Sequence, residues 1–412
     1  MGAGAAGLMT AIAAAREAER LKKTPSIALF DSKKKIGAKI LISGGTRCNV
    51  TNVSVTPADY EGASKHFVKH VFEAFTPEKT RRFFEEIGVD LVLEPTGKYF
   101  PTTHSGRTVL EALMKELELR GVKLMAGVKI SEIKKSDLSE GPSFLLKSEE
   151  SEFQARKVIL CTGGLSYPET GSDGTGYRMA QAFGHTLVPT HAALTPLLTN
   201  DADWPGLSGV TMDVTLSYYK KGKKEKSATA SFLFTHFGFS GPVALDISRY
   251  WSAHEKGEGA IQASFLPQED ETSFRKLLES EMKSAPKRFL KNFLTDFGLT
   301  QRFADVFLKK LNLETIKPLR QLTKGDKAAL VEGLFRYPLE INGVYGYKKA
   351  EATAGGIDLR EVSIGTMESK KVPGLYFAGE ILDIDGRIGG FNFQWAWSTG
   401  TIAGSSAAKA SI

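Results

Sequence analysis

Apolar and small residues fill positions 8–23 without a helix breaker, and Arg16, Arg20, Lys22 and Lys23 gather toward the end. That pattern predicts a helix finished by cations at its negative pole. Residues 26–31, Ser-Ile-Ala-Leu-Phe-Asp, form a short apolar run closed by an acid, which predicts a strand buried in a parallel sheet. Thr76-Pro77-Glu78 opens a further helix to Glu86, and Gly88 stops it. Residues 89–93 read as a short strand, 105–120 as an amphipathic helix ended by Gly121, and 122–130 and 156–161 as strands. Helix and strand in turn over residues 1–190 predict a parallel, doubly wound α/β sheet.

Near His191 the texture changes. Residues 210–219, 228–235 and 260–265 carry β-rich patterning with no long helix among them, whereas 271–335 reads as a compact helical stretch. From Tyr345 onward Gly- and β-rich segments return, with a strand at 374–379 and a small-residue helix at 394–408. The pattern predicts a nucleotide domain built from 1–190 and 345–412, interrupted by a β piece (191–270 and 336–344) and a helical piece (271–335).

Composition narrows the class. A chain of 412 residues exceeds one ordinary core, and 42% hydrophobic with 25% charged residues is typical of a globular protein. No run of 18 apolar residues offers a membrane span. The cysteines Cys48 and Cys161 form neither a disulfide framework nor a zinc pattern, so a reducing, cytoplasmic setting without a metal is expected. They would act as a redox pair only if the fold joined them. Net charge is +7 and the pI about 9.1. The lysine-rich stretch 219–226 reads as the solvated tip of a hairpin rather than a nucleic-acid patch, because no aromatic interleaving accompanies it.

Candidate chemistry begins at Gly2-Ala3-Gly4-Ala5-Ala6-Gly7, a G-x-G-x-x-G turn. In such a turn the first glycine bends the chain, the second admits a pyrophosphate and the third lets helix pack on strand. Asp31 lies near the spacing at which a carboxylate meets ribose hydroxyls. The motif needs a strand before it, so the natural protein is expected to start upstream of Met1 and the sheet shown by this chain to lack its central strand. The segment 37–52, which includes Ser43, is rich in Gly, Asn and Thr, and its Lys39 and Arg47 can answer phosphate charge while Asn49, Thr51 and Asn52 supply directional hydrogen bonds. Residues 161–168 follow a strand, where doubly wound sheets bind ligands, and include Thr162, Gly163 and Tyr167. Residues 234–242 place His236 before a Gly-Ser-Gly-Pro loop. His236 and Tyr167 are candidate proton donors. In residues 375–400 a strand ends in Gly379-Glu380, a glycine pair Gly389-Gly390 follows, and a helix begins near Asn392. A helix start there suits a group that becomes anionic on reduction, as the N1–C2=O edge of a flavin does.

These segments, with Thr353-Ala354-Gly355-Gly356-Ile357 and Thr366-Met367-Glu368-Ser369-Lys370, resemble the BaiN/YhiN-like NAD(P)/FAD-dependent oxidoreductases, also described as aminoacetone-oxidase-like flavoproteins. The resemblance spans essentially the whole chain. It implies a glutathione-reductase-like Rossmann domain holding FAD, an inserted β-barrel and a helical subdomain. It also implies that Gly2, Gly4, Ala5, Ala6, Gly7 and Asp31 face the ADP half, with Lys39, Ser43, Arg47, Asn49 and Thr51 nearby. Val128 would offer its main chain to adenine, Thr162 and Gly163 would lie near the adenosine, Gly379 and Glu380 near the ribityl chain, and Gly389, Gly390, Phe391, Asn392 and Phe393 near the isoalloxazine. Two departures stand out: the strand before Gly2 is missing, and Thr46 stands where relatives commonly have glycine. The implied activity is hydride transfer through flavin N5, reducing a conjugated carbonyl compound with NAD(P)H or oxidising a small amine. The alternative is an FAD-containing RNA-modification or RNA-binding protein. A small-molecule substrate and no membrane are expected.

Overall fold

The computed structural model describes residues 1–136, 143–253 and 258–410. The chain divides into two compact units, Met1–Ala192 with Glu351–Ile412, and Ala193–Ala350.

In the first unit Ala28–Asp31 pairs in parallel with Lys123–Ala126, and Val158–Leu160 pairs in parallel with Leu375–Phe377. The main chain of Met1 and Gly2 bonds to both pairs: the Gly2 N–H donates to the Phe30 carbonyl at 2.7 Å, and the Cys161 N–H to the Met1 carbonyl at 2.8 Å. Parallel strands joined through helices are the expected α/β arrangement. The first helix, Ala5–Arg20, stops short of the predicted end because Lys22 takes a left-handed backbone (φ 55°) that no helix continues through. The last helix, Phe391–Lys409, lies against it so closely that a Cβ on Gly404 would stand 2.2 Å from the Thr10 carbonyl oxygen, and one on Gly400 2.7 Å from that of Ala6. Matching offsets along both helices mean that they run in the same direction.

Three sequence expectations change in detail. The strand expected over 122–130 ends at Ala126, because Gly127 turns the chain at φ 81°. Lys65–Ala74 is an unexpected helix, opened by the Ser64 hydroxyl accepting from the Phe67 N–H and burying Phe67, Val68, Val71 and Phe72. The region expected to lack long helices contains Pro242–Ser252, where Pro242 begins a helix instead of continuing a loop.

The second unit is organised on a seven-stranded sheet, in the order Tyr337–Leu339, Gly259–Ser264, Thr211–Lys220, Lys223–Thr235, Gly238–Ser240, Leu197–Leu198 and Gly343–Val344. Every pairing in it is antiparallel. Sheet residues Val214, Leu216, Phe232 and Phe234 share one apolar core with Phe274, Phe293, Phe303 and Phe307 of the helices.

Candidate flavin site

The glycine turn is tight where the motif requires it and open where a ligand would enter. A Cβ on Gly7 would fall 1.7 Å from the Gly2 carbonyl oxygen, whereas one on Gly4 would meet nothing within 4 Å. Gly4 caps the first helix without a side chain. The N–H groups of Ala5, Ala6 and Gly7 therefore face outward without a helical partner, the arrangement that receives an anion. Asp31 holds the turn, accepting from the Ala3 N–H at 2.7 Å and from the Lys33 N–H at 2.8 Å. A carboxylate has further lone pairs beyond those two.

A second cluster joins three distant segments. Lys39 Nζ lies 2.7 Å from both Glu380 Oε2 and Ser166 Oγ, and Ser166 Oγ donates to Glu380 Oε1 at 2.5 Å. The Thr353 N–H also donates to Glu380 Oε1, while Thr353 Oγ1 accepts from the N–H groups of Leu165 and Ser166. Glu380 is thus fixed by a cation, a hydroxyl and a main-chain donor, with its side chain 19% exposed. Gly379 sits directly before it at φ 80°, where a Cβ would be 2.6 Å from that of Ala6. Gly163 lies alongside; a Cβ there would be 3.9 Å from Glu380 Oε2.

The start of the last helix forms the third part. Gly390 caps it without a side chain, and Asn52 Nδ2 donates to the Gly389 carbonyl at 3.1 Å. Thr51 Oγ1 donates to Gln394 Oε1 at 2.6 Å, and Tyr60 Oη to the Phe391 carbonyl at 2.7 Å. Asn392 brackets Gly386, accepting from its N–H and donating to its carbonyl, and Phe393 stacks on Trp397. Asn49 is buried, yet its Oδ1 has no hydrogen-bond partner, and a Cβ on Gly390 would be 2.8 Å from that atom. Buried acceptors without partners are rare and costly, so this one marks a place for a donor. Lys98 reaches the same spot, its Cε 3.5 Å from where a Gly389 Cβ would be. Since Gly400 lies beside Ala6, the last helix begins about two turns, roughly 12 Å, before the first one starts. Two uncapped helix starts, offset along one direction, suit a long ligand with an anionic centre and a second electron-rich end.

The other expected residues fall in varied places. Ser43 ends the short helix Ala38–Ile42 and donates to the Ile40 carbonyl. Arg47 is held by Glu94 at 2.6 Å and lies 4.0 Å over the Phe100 ring, so its charge is already answered within the protein. Thr162 Oγ1 is a second buried atom without a partner, beside Gly176. Val128 follows Gly127, half-buried, beyond the end of the strand, and its main chain makes no hydrogen bond among the described residues. Tyr167 follows Ser166 with a left-handed backbone (φ 48°), a strained setting for a tyrosine. Burial, with Glu351 nearby, raises its phenol above the ordinary value of 10.0. His236 occupies the exposed turn between Lys223–Thr235 and Gly238–Ser240, in the second unit, with its ring against Phe237. Cys48 and Cys161 are both buried thiols in separate apolar clusters; burial pushes Cys48 up to about 12. Asn52 meets the sequence expectation of a directional hydrogen bond, Ser166, Thr353 and Gln394 stand out in the sequence only as parts of motifs, and Lys98 not at all. Lys98 carries no local signal, because strand pairing with Asn52 alone brings it to the site.

The polar groups fit FAD: an open glycine turn, an acid at a strand end, two uncapped helix starts, a buried Asn49 acceptor and a buried Thr162 hydroxyl without partners. A model of the HI0933-like protein Rossmann domain matches residues 1–406. The chain belongs to the HI0933-like Rossmann family. This HI0933-like protein is 34% identical over 401 residues to the ribosomal RNA dihydrouridine synthase of Haemophilus influenzae, covering 97% of this chain and 95% of that protein. It is 33% identical over 402 residues to the Escherichia coli protein of the same name, covering 97% and 94%. It is 31% identical over 412 residues to the 3-dehydro-bile acid delta(4,6)-reductase of Clostridium scindens, covering 99% and 98%. As a member of this family it is an FAD-dependent oxidoreductase, in agreement with the sequence resemblance. Among the described residues no helix is long and apolar enough to cross a membrane.

Proposed function

We propose that this HI0933-like protein reduces a carbon–carbon double bond conjugated to a carbonyl, with NAD(P)H as electron donor. The relatives' names point to one reaction type. A 3-oxo compound with 4,6 double bonds and a uracil ring both place C=C beside C=O, so a hydride added at the far carbon leaves an enolate that a proton completes. FAD supplies the hydride at N5 when bound.

The residues named from the sequence take these roles in our reading. Gly2, Gly4, Ala5, Ala6, Gly7 and Asp31 bind the ADP half, and the Val128 main chain meets adenine. Thr162 and Gly163 line the adenosine side, and Ser43, Arg47 and Thr51 shape the loop rather than touch phosphate. Lys39, Gly379 and Glu380 hold the ribityl chain, while Asn49 with Gly389 to Phe393 receives the isoalloxazine. Lys98 and the last helix's start favour negative charge at its pyrimidine edge. We keep the division of the second unit into a β-barrel (191–270 and 336–344) and a helical subdomain (271–335) as part of this reading.

What carries the reading is the bond type that the relatives' names share, a C=C conjugated to a C=O. Tyr167, directly after Ser166 of the Glu380 cluster, is the first candidate proton donor, and burial raises its phenol, which keeps its proton at neutral pH. His236 is the second candidate. The test is anaerobic: the FAD-loaded protein is reduced with NADPH and then mixed with a cyclic enone, uridine-containing RNA or no acceptor. Prompt flavin reoxidation by an enone or by RNA supports the reading, and reoxidation by neither overturns it.

Between the two substrate classes, uracil in RNA is favoured. Two relatives carry the dihydrouridine name, and the chain has an excess of seven positive charges. This takes up the RNA alternative that the sequence left open, although the lysine-rich stretch 219–226 by itself made nucleic acid the less expected partner.

A further inference from the structure

The second unit distributes its positive charge unevenly. On and between its helices many cations are answered, although Lys276, Lys283, Arg302 and Lys324 make no ion pair among the described residues and stand apart from one another rather than in one run. Lys310 lies between Asp201 and Asp203, Lys291 pairs with Asp305, Lys317 with Asp326 and Lys327 with Glu279. Arg288 reaches Glu281 and Asp296, and Arg336 reaches Glu271 and Glu332. The hairpin of Thr211–Lys220 and Lys223–Thr235 differs. Its tip carries Lys220, Lys221, Lys223 and Lys224, and none of these makes an ion pair among the described residues. Lys221, Lys223 and Lys224 are exposed, and Lys220 is partly so.

Among the described residues the acids near the tip are Glu225 and Glu258, fewer than its four lysines. The turn is a two-residue one, with Lys221 at φ 48° and Gly222 at φ 79°. Such turns normally take Asn or Gly first, so lysine here goes against local preference. Below the tip the strands present a ladder of hydroxyl pairs, Thr215 with Thr229 and Ser217 with Ser227, and Tyr219 stands next to Lys220. Unpaired lysines above a hydroxyl-bearing face match a phosphodiester backbone, which takes charge from lysine and hydrogen bonds from hydroxyls.

We propose that the tip of this hairpin, Lys220 to Lys224, is the surface by which the protein grips the phosphate backbone of its RNA. The inference rests on the RNA reading of the function. The hairpin supplies affinity without sequence choice, leaving the choice of uracil to the flavin site.

The test uses the FAD-loaded full chain and a variant combining Lys220→Gln, Lys221→Asn, Lys223→Gln and Lys224→Gln. Binding of deproteinised ribosomal RNA and of a fluorescein-labelled single-stranded RNA is measured against salt, with FAD content and NADPH-driven flavin bleaching recorded for both proteins. The variant should keep its flavin and its bleaching, bind at least tenfold more weakly at about 0.1 M salt, and show a log–log salt slope shallower by about 3. A variant with unchanged affinity and slope overturns the hairpin assignment alone. A wild-type chain that binds neither RNA at low salt overturns the RNA reading as well. A control with Lys276→Gln and Lys283→Gln, on the helix Glu271–Ser284, should bind as wild type does; equal loss there would also count against the hairpin.

Discussion

At the start of the first helix the polar groups are main-chain N–H groups and one carboxylate, whereas at the start of the last helix they are side chains from Asn49, Asn52, Tyr60, Lys98 and Asn392. The first place is defined by what is absent, since Gly4 leaves the backbone open. The second is assembled by tertiary pairing, and it retains a buried acceptor with nothing to accept. A site that needs only backbone can be written in seven residues. A site that needs side chains at an angle to one another draws on the whole fold.

The largest effect should come from closing the backbone end. Gly7→Val would drive a branched side chain into the Gly2 carbonyl, costing about 3 kcal/mol or more and abolishing binding of both FAD and ADP. Denaturant midpoints and flavin absorbance check this; a variant that folds and stays yellow would break the comparison. Next is the cluster between the two ends. Glu380→Ala leaves Lys39, the Ser166 hydroxyl and the Thr353 N–H without their acceptor. The pair is partly exposed, so water softens the loss to about 1–3 kcal/mol, with Glu380→Gln in between, measured by urea unfolding of the flavin-free protein.

A polar cluster of protein groups bonded to one another makes the contrast testable through pH. His185 is buried between Glu361 and Ser369, and burial lowers it from 6.5. For Glu361, burial opposes ionisation, but hydrogen bonds from Lys371 and Thr186 outweigh it and hold the carboxyl at about 2 against 4.5. In both cases the unfolded chain takes protons at higher pH than the folded one. The stability they give is present above 6.5 and is lost as pH falls, through His185 first and then Glu361 between 4.5 and about 2. The unfolding free energy should therefore begin to fall as pH drops below 6.5 and fall further between 4.5 and about 2, and Glu361→Gln should flatten the lower part of the curve.

The smallest effect concerns the loop after the helix Ala38–Ile42. Thr46 follows Gly44 and Gly45 and shares their left-handed backbone, at φ 71°. Thr46→Gly relieves that strain but loosens the unfolded chain, leaving a gain of about 0.5–1 kcal/mol in the denaturation midpoint. A loss of stability would show that the threonine hydroxyl matters more than its backbone.

These differences explain what the sequence could disclose. The glycine turn, Asp31, the helix ends at Thr76 and Gly121, and the Glu380 strand end are local statements, readable from turn and cap chemistry. The helix Lys65–Ala74 was equally local, with Phe67, Val68, Val71 and Phe72 in period, and went unread beside stronger motifs. Lys98 and the pairing of Lys39 with Glu380 across 341 positions belong to the folded chain alone, because no periodicity or spacing encodes them. Arg47 shows the converse: its spacing marks a cation in a promising loop, and only the fold shows that it pairs with Glu94 and lies over Phe100.

In our reading the two helix starts hold opposite ends of one FAD, with Asn49 reading the flavin end. Apoprotein carrying Asn49→Leu should be titrated in parallel with FAD and with ADP, which lacks the flavin. The account predicts that FAD affinity falls at least tenfold while ADP affinity and the stability of the apoprotein stay as in wild type. Equal weakening of both ligands, or no change in either, would contradict it.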